Sequence, residues 1–489
     1  MHAIKLQVIV PENRELKITL PPEVPPGSAE VIVLVPEQEA RGSHVTEVLR
    51  LVDEWRATHP GRRSKEEIDR YLEEIARGAT VPGTKRENTA METHPFTPDH
   101  LVARTTFADP YPVYRYLRDQ SPVQYVSIPA GASPGVDSPI WAWGLLKYDQ
   151  VYEALRDHET FSSENPLAGQ FGPKVVLIQD DPPRQTRFRR LVNKAFTLKR
   201  VEALEPWITG VANALLDEMG EGPADVVESY TVPLPVKVIA RLLGIPGEDY
   251  ATFKRWSDAF LSTVSLQRDE RMQNIQEMVA YFGQMAVARR AHGAEDLITA
   301  LVEAEIEGES LQDWEILGFC ILLLIAGNET TTNLMGNLFN LLVDRPDLWQ
   351  RLRADRSLVE TVSEETLRYE SPVQRLFRTA TREVEVSGAK VSKGDRVTIF
   401  YGAANRDPQA FPNPDEFRLD RDLRNHVAFG MGIHYCLGAP LARAEARITL
   451  NAFLDRFPVI KRGAAPAVRQ TASPIVFGFT QLPLVLSTR

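Results

Sequence analysis

Residues 429–438 read Phe429-Gly430-Met431-Gly432-Ile433-His434-Tyr435-Cys436-Leu437-Gly438. Two glycines precede the cysteine and a third follows two residues after it. Glycine lets a backbone turn tightly and come close to a bulky object. A helical pattern begins at once, over 439–457. Cys436 therefore falls just before a helix N-terminus, where unpaired N–H groups and the positive end of the helix dipole lie. Both favour thiolate over thiol, so the stretch is expected to hold a thiolate at the bottom of a Gly-rich loop. The competing expectation is that Cys436 is one more small buried residue. A zinc site on His434 and Cys436 lacks partners, because the only other cysteine, Cys320, lies in an apolar helical run.

Upstream, Ala326-Gly327-Asn328-Glu329-Thr330-Thr331 interrupts a long helical stretch directly after the apolar run at 321–326. A glycine inside a helix costs about 1 kcal/mol relative to alanine. Polar groups so placed need partners, which points to a wet groove or ligand surface; a kink with satisfied hydroxyls is the plainer reading. Further on, Glu365 and Arg368 stand at i, i+3, on one helix face. Alone, such a pair is worth under about 1 kcal/mol when exposed.

The whole chain is ordinary for a soluble globular protein: 489 residues, 43% hydrophobic, 25% charged, 8% aromatic. With 56 basic against 66 acidic residues the net charge is −10, a poor start for a general nucleic-acid binder. The longest apolar run, 316–327, is too short to cross a bilayer. Residues 1–20 carry charges throughout and have no signal-peptide core, so a cytosolic protein is expected. Two cysteines rule out a disulfide framework.

Helical patterns dominate after residue 98: 111–119, 148–156, 184–196, 201–219, 232–243, 247–264, 271–291, 311–342, 357–369 and 441–457. Strand-like pieces are few, at 123–126, 140–143, 384–386 and 396–400. The fold class is mainly α with small β-sheets. Before it, residues 1–78 read as a small β-β-β-α-α appendage, with Ser64 and Glu67 forming a capping box. This segment resembles the antitoxins of bacterial toxin–antitoxin operons; an inert extension is the alternative. Residues 79–95 read as a linker rich in Gly, Pro and Thr, and Met91 inside it is a candidate natural start.

The run F-G-x-G-x-H-x-C-L-G-A-P-L-A-R ending at Arg443 resembles the haem-binding signature of the cytochrome P450 family. Other segments match in the family's order over 96–489: A-G-x-[DE]-T at 326–330, E-x-x-R at 365–368, and the meander Asn405-Arg406-Asp407-Pro408 with Phe411-Pro412-Asn413-Pro414-Asp415-Glu416-Phe417. The resemblance implies haem b, held in a fold with a long distal helix over it, and makes Cys436 the proximal axial ligand of its iron. Such a thiolate pushes electron density towards the metal and favours O–O cleavage. Phe429 would pack beside the loop, and His426 and Arg378 would reach the propionates. Residues 181–189 match D-P-P-x-H-x-x-x-R, which supplies Arg189 and puts Gln185 where the family usually has histidine, implying a weaker, uncharged contact. Glu329 and Thr330 would form an acid–alcohol relay bringing protons to dioxygen. Glu365, Arg368 and Arg421 would stabilise the fold behind the haem.

The activity so implied is a monooxygenase that hydroxylates or epoxidises a mainly apolar organic molecule. A peroxide-driven enzyme and a non-catalytic haem sensor are the alternatives. The chain shows no flavin, nicotinamide or iron–sulfur fingerprint, so electrons would come ultimately from NAD(P)H through a ferredoxin or flavodoxin. The basic cluster Arg184, Arg187, Arg189, Arg190, Lys194, Lys199 and Arg200, with Arg443 and Arg447, is expected to steer that partner, docking near Arg187, Lys194 and Arg443. Pocket lining is expected from Phe171, Val176, Leu261, Leu323, Leu376, Phe377 and Val476.

Overall fold

Helix α1 (Tyr111–Gln120) leads into the hairpin β1 (Val123–Ile128) and β2 (Ile140–Leu145), then α2 (Tyr148–Arg156) and β3 (Phe161–Ser162). Next come α3 (Arg184–Ala195), α4 (Leu198–Met219), β4 (Gly222–Asp225), α5 (Pro233–Leu243), α6 (Tyr250–Leu261), α7 (Arg268–Ala291) and α8 (Leu297–Val302). The small hairpin β5 (Glu305–Ile306) and β6 (Glu309–Ser310) precedes the longest helix, α9 (Asp313–Val343), which is followed by α10 (Pro346–Ala354) and α11 (Leu358–Tyr369). Strands β7 (Arg375–Ala380), β8 (Val384–Val386), β9 (Ala389–Val391) and β10 (Arg396–Phe400), short α12 (Tyr401–Ala404) and α13 (Ala439–Arg456) follow. Strands β11 (Val459–Arg462), β12 (Val468–Arg469), β13 (Phe479–Gln481) and β14 (Pro483–Ser487) end the chain. This is a computed structural model that describes residues 96–128, 140–164, 176–261, 268–306 and 308–488. The expected appendage and linker, and Phe171, lie outside the described residues.

Helix α9 organises the helical part. Gln312 and Glu315 cap its start, the Gln312 N–H donating to Glu315 Oε2 at 2.9 Å. Its sides are apolar all round, and Phe319, Leu324, Leu338, Phe339 and Leu342 are completely buried, the signature of a core helix. The apolar run at 316–327 is thus part of a 31-residue helix that is long and apolar enough to cross a membrane, and packing inside the domain accounts for that composition. Gly327 has a local reason: a Cβ there would stand 2.5 Å from Ile239 Cδ1 on α5. The helix break feared from sequence is a close approach of two helices, and α9 runs through it without interruption.

The main sheet has the order β1-β2-β10-β7-β3. Its register pairs Val123 with Leu145, and β10 lies parallel to β2 and antiparallel to β7. Strand β7 was not among the expected strands. Its neighbours on either side, β10 and β3, come from distant parts of the chain, so pairing and not local pattern makes it a strand. Helix α10 was also missed, although Pro346 at its first turn and buried Leu348, Trp349 and Leu352 carry a helical signal.

Candidate active site

The loop before α13 takes its shape from two glycines. Gly430 and Gly432 have φ of 71° and 65°, and a Cβ on Gly432 would meet the Leu155 carbonyl oxygen at 2.7 Å. The Cys436 N–H closes the loop by donating to the Phe429 carbonyl at 2.9 Å. Arg443, one turn into α13, lies over the Phe429 ring at 4.5 Å. Cys436 then faces a cavity whose walls include Arg189 of α3, Arg378 of β7, His434, Thr330 of α9 and Glu445 of α13. The remaining lining is almost all apolar, with Leu177, Ile178, Phe319, Leu323 and Leu376 prominent.

Burial pushes Cys436 up, against the pull of the Gly438 and Ala439 N–H groups and the guanidiniums of Arg189 and Arg443. The expected pull of the loop and helix end towards thiolate is present, opposed by desolvation. A cation bound at the sulfur would reverse that balance. The donor set otherwise fits haem. One sulfur, two arginines and an imidazole stand in an apolar wall, matching a flat apolar macrocycle with a thiophilic metal and two anionic arms.

The imidazole is not the one expected. His426 lies outside the cavity wall; its Nε2 is 2.9 Å from Glu364 Oε2, and Arg443 holds the same carboxylate at 2.7 Å and 2.9 Å. These partners keep Glu364 down at about 2 against the cost of burial. His434, two residues before the sulfur, is the imidazole that lines the cavity. Tyr435 between them is extended (φ −48°, ψ 134°), so residues 434 and 436 share a side. Burial, with Arg378 nearby, lowers His434 to about 4.

Arg378 and Arg189 stand in the cavity wall, and Arg189 Nη2 also donates to the Tyr435 carbonyl at 2.9 Å. Gln185 is not among the lining residues: its Nε2 donates to the Ile433 carbonyl at 2.7 Å. The Thr330 hydroxyl borders the cavity and donates to the Ala326 carbonyl at 2.6 Å. Glu329, its neighbour, accepts from Asn333 Nδ2 at 3.3 Å. Behind the site, Arg368 holds Glu365 through two hydrogen bonds of 2.7 Å, and Arg421 Nε lies 3.3 Å from the same carboxylate. Of the expected lining, Leu323 and Leu376 face the cavity, Val176 is core and Val476 bridges to Val373. Phe377 lies beneath the Arg396 guanidinium.

Glu445 was missed. It is 1% exposed, borders the cavity, and its Oε2 has no hydrogen-bond partner among the described residues. Burial raises it to about 8; Tyr230 is a titratable neighbour. The folded protein therefore keeps a proton that the unfolded chain releases at the ordinary carboxylate pKa. Stability is full below that value and falls as pH rises towards 8, by up to about 1.4 kcal/mol per pH unit. Glu445→Gln removes this slope, so its Tm should gain on the wild type between about pH 5 and pH 8. Thermal melts across that range check it; a constant gap would mean that the carboxyl is ionised in the fold.

The sequence profile described as Cytochrome P450 matches residues 226–485. The chain belongs to the cytochrome P450 family. It is 39% identical over 385 residues to Cytochrome P450 109 of Bacillus spizizenii, covering 77% of this chain and 91% of that one. It is 37% identical over 388 residues to the Cytochrome P450 monooxygenase PikC of Streptomyces venezuelae, with the same coverage. The crystal structure of CYP109E1 from Bacillus megaterium in complex with testosterone superposes with a TM-score of 0.69 at 38% identity, over 78% of this chain and 99% of that chain. This P450 is a haem-thiolate monooxygenase that uses haem b, a redox partner protein such as a ferredoxin, and an organic substrate.

Proposed function

We propose that residues 96–489 form the catalytic domain, with 1–78 a separate appendage, and that the domain oxidises a bulky, mainly apolar molecule of macrolide or steroid size. Relatives support the size class: one is the Mycinamicin IV hydroxylase/epoxidase of Micromonospora griseorubida and another the 6-deoxyerythronolide B hydroxylase of Saccharopolyspora erythraea. One arrangement carries the reading: a sulfur, Arg189, Arg378, His434 and the Thr330 hydroxyl share one cavity whose remaining wall is apolar. Cys436 would ligate the haem iron, and Arg189, Arg378 and His434 would hold the propionates. Haem, when bound, supplies the metal at which dioxygen is reduced and split. Each turnover puts one oxygen atom into the substrate and releases the other as water, consuming two electrons and two protons.

The chain's own residues manage the protons. The Thr330 hydroxyl donates its hydrogen bond to the Ala326 carbonyl, which leaves its lone pairs as acceptors for a proton-bearing group in the cavity. Glu329 beside it is the acid of the pair. The apolar wall excludes bulk water from the reacting carbon.

The redox partner docks near Arg443, on the face that carries exposed Tyr435, with Lys199 and Arg200 adding steering charge. Arg187 contributes less than its charge suggests, whereas Lys194 keeps its charge beside a neutral carbonyl. Arg187 is spent on Glu309 and Glu315, Lys194 on the Glu305 carbonyl, and Arg443 itself shares Glu364 with His426. We place the protein in the cytoplasm, where its two free cysteines stay reduced.

The test is a binding screen of macrolides and steroids against the ferric protein, scored by the shift from low to high spin, followed by turnover with a surrogate ferredoxin, its reductase and NAD(P)H. Thr330→Ala should keep substrate binding and NAD(P)H consumption while product per NAD(P)H falls about tenfold or more and hydrogen peroxide rises. Unchanged coupling would remove Thr330 from proton handling, and product formation from hydrogen peroxide alone would favour the peroxide-driven reading.

A further inference from the structure

Three consecutive residues immediately before the sulfur are each gripped from outside their own loop. The Ile433 carbonyl accepts from Gln185 Nε2 at 2.7 Å. His434 Nε2 lies 2.9 Å from Ser163 Oγ. The Tyr435 carbonyl accepts from Arg189 Nη2 at 2.9 Å. Gln185 and Arg189 stand four residues apart on α3, on one face, so a single helix supplies two of the three grips.

That helix is itself fixed. Asp181, just before it, accepts the Gln185 N–H through its carbonyl at 2.9 Å and the Ser163 N–H through Oδ1 at 3.0 Å. The same aspartate thus ties the first turn of α3 to the segment that holds His434. Elsewhere on α3, Arg187 binds Glu309, Glu315 and the Ser310 carbonyl. The result is a closed brace around residues 433–435.

We propose that Gln185 is a positioning residue for Cys436: its amide pins the Ile433 carbonyl and so sets where the sulfur stands, in place of the anion contact expected of this position. This rests on the reading that Cys436 ligates haem iron. The geometry favours a clamp for two reasons. Gln185 is 2% exposed, and one of its two amide N–H groups is committed to a carbonyl of the Cys loop. An amide also brings no charge, so its value lies in direction, and a part-buried carbonyl that loses its donor is penalised.

Two variants test it in the intact haem protein. Gln185→Leu removes the donor, and Gln185→Glu keeps the shape while replacing the donor by a carboxylate that faces the Ile433 oxygen. Three readouts are taken: the fraction of the reduced carbon monoxide complex with a thiolate-type Soret band, the iron–sulfur stretching frequency, and the rate of haem transfer to an acceptor protein. In both variants the ratio of thiolate-lost to thiolate-bound complex should rise roughly fivefold, the equivalent of one buried hydrogen bond, and the stretching frequency should shift, while haem transfer changes less than about twofold. Faster haem transfer with an unchanged thiolate signature would overturn the clamp and restore the anion contact. So would no change in any readout. If one variant fails to accumulate, the other decides. A wild-type protein with no thiolate-type band would instead sink the underlying ligand reading, so the two failures are separable.

Discussion

Replacing Cys436 by serine abolishes monooxygenation: product formation should fall by at least about a thousandfold, because the axial ligand's identity sets whether the O–O bond is broken. The fold survives the change. The backbone bond that closes the loop, from the residue 436 N–H to the Phe429 carbonyl, does not involve the side chain. Serine is smaller and equally able to occupy the buried position, but its hydroxyl sits in the same desolvating wall that already pushes the thiol up. It therefore stays protonated and donates little electron density. Far-ultraviolet circular dichroism should match the wild type, and the reduced carbon monoxide complex should lack the red-shifted band that thiolate ligation gives. Retained turnover in a Cys436→Ser protein of verified sequence would place the chemistry elsewhere.

The second large effect is on folding. Arg368→Ala should cost about 3–5 kcal/mol, because it leaves the Glu365 carboxylate buried without its main counter-charge. Both residues are completely buried. Arg368 also donates to the carbonyls of Asn405, Pro414 and Glu416, which tie the meander to α11. The partners left to Glu365 are the Arg418 N–H at 2.9 Å and Arg421 at 3.3 Å. Arg368→Lys should rescue poorly, since an ammonium cannot span two carboxylate oxygens and three carbonyls. Arg115→Ala is the control: it breaks an exposed pair with Asp415 and should cost under about 1 kcal/mol. Soluble yield, haem content and Tm measure all three. An Arg368→Ala protein that melts alongside the Arg115→Ala control would show that the buried network is not what holds the meander.

Much of the site was legible because its chemistry is written in short runs of sequence. Cys436, Thr330 and the pair Glu365–Arg368 each sit in a local pattern, and the structure brings the first two into one cavity and buries the third behind it. What local sequence does not show is a side chain's remote partner. His426 and His434 are both near the cysteine, and only the path of the loop decides which one turns inward. Gln185 was read by position as an anion contact, whereas the carbonyl it meets lies 248 residues away in sequence. The carboxylates that pair with Arg187 come from the hairpin β5–β6 and the start of α9.

Local sequence alone fixes the long apolar helix α9, the glycine-bent loop and the family signature around Cys436, because periodicity, φ preference and motif spacing act over a few residues. Tertiary structure alone decides that β7 is a strand, which imidazole borders the cavity, that burial raises Glu445 and that desolvation opposes the pull of the helix end on Cys436. Each of these depends on desolvation or on a hydrogen-bond partner far along the chain, and neither is a property of the residue that feels it.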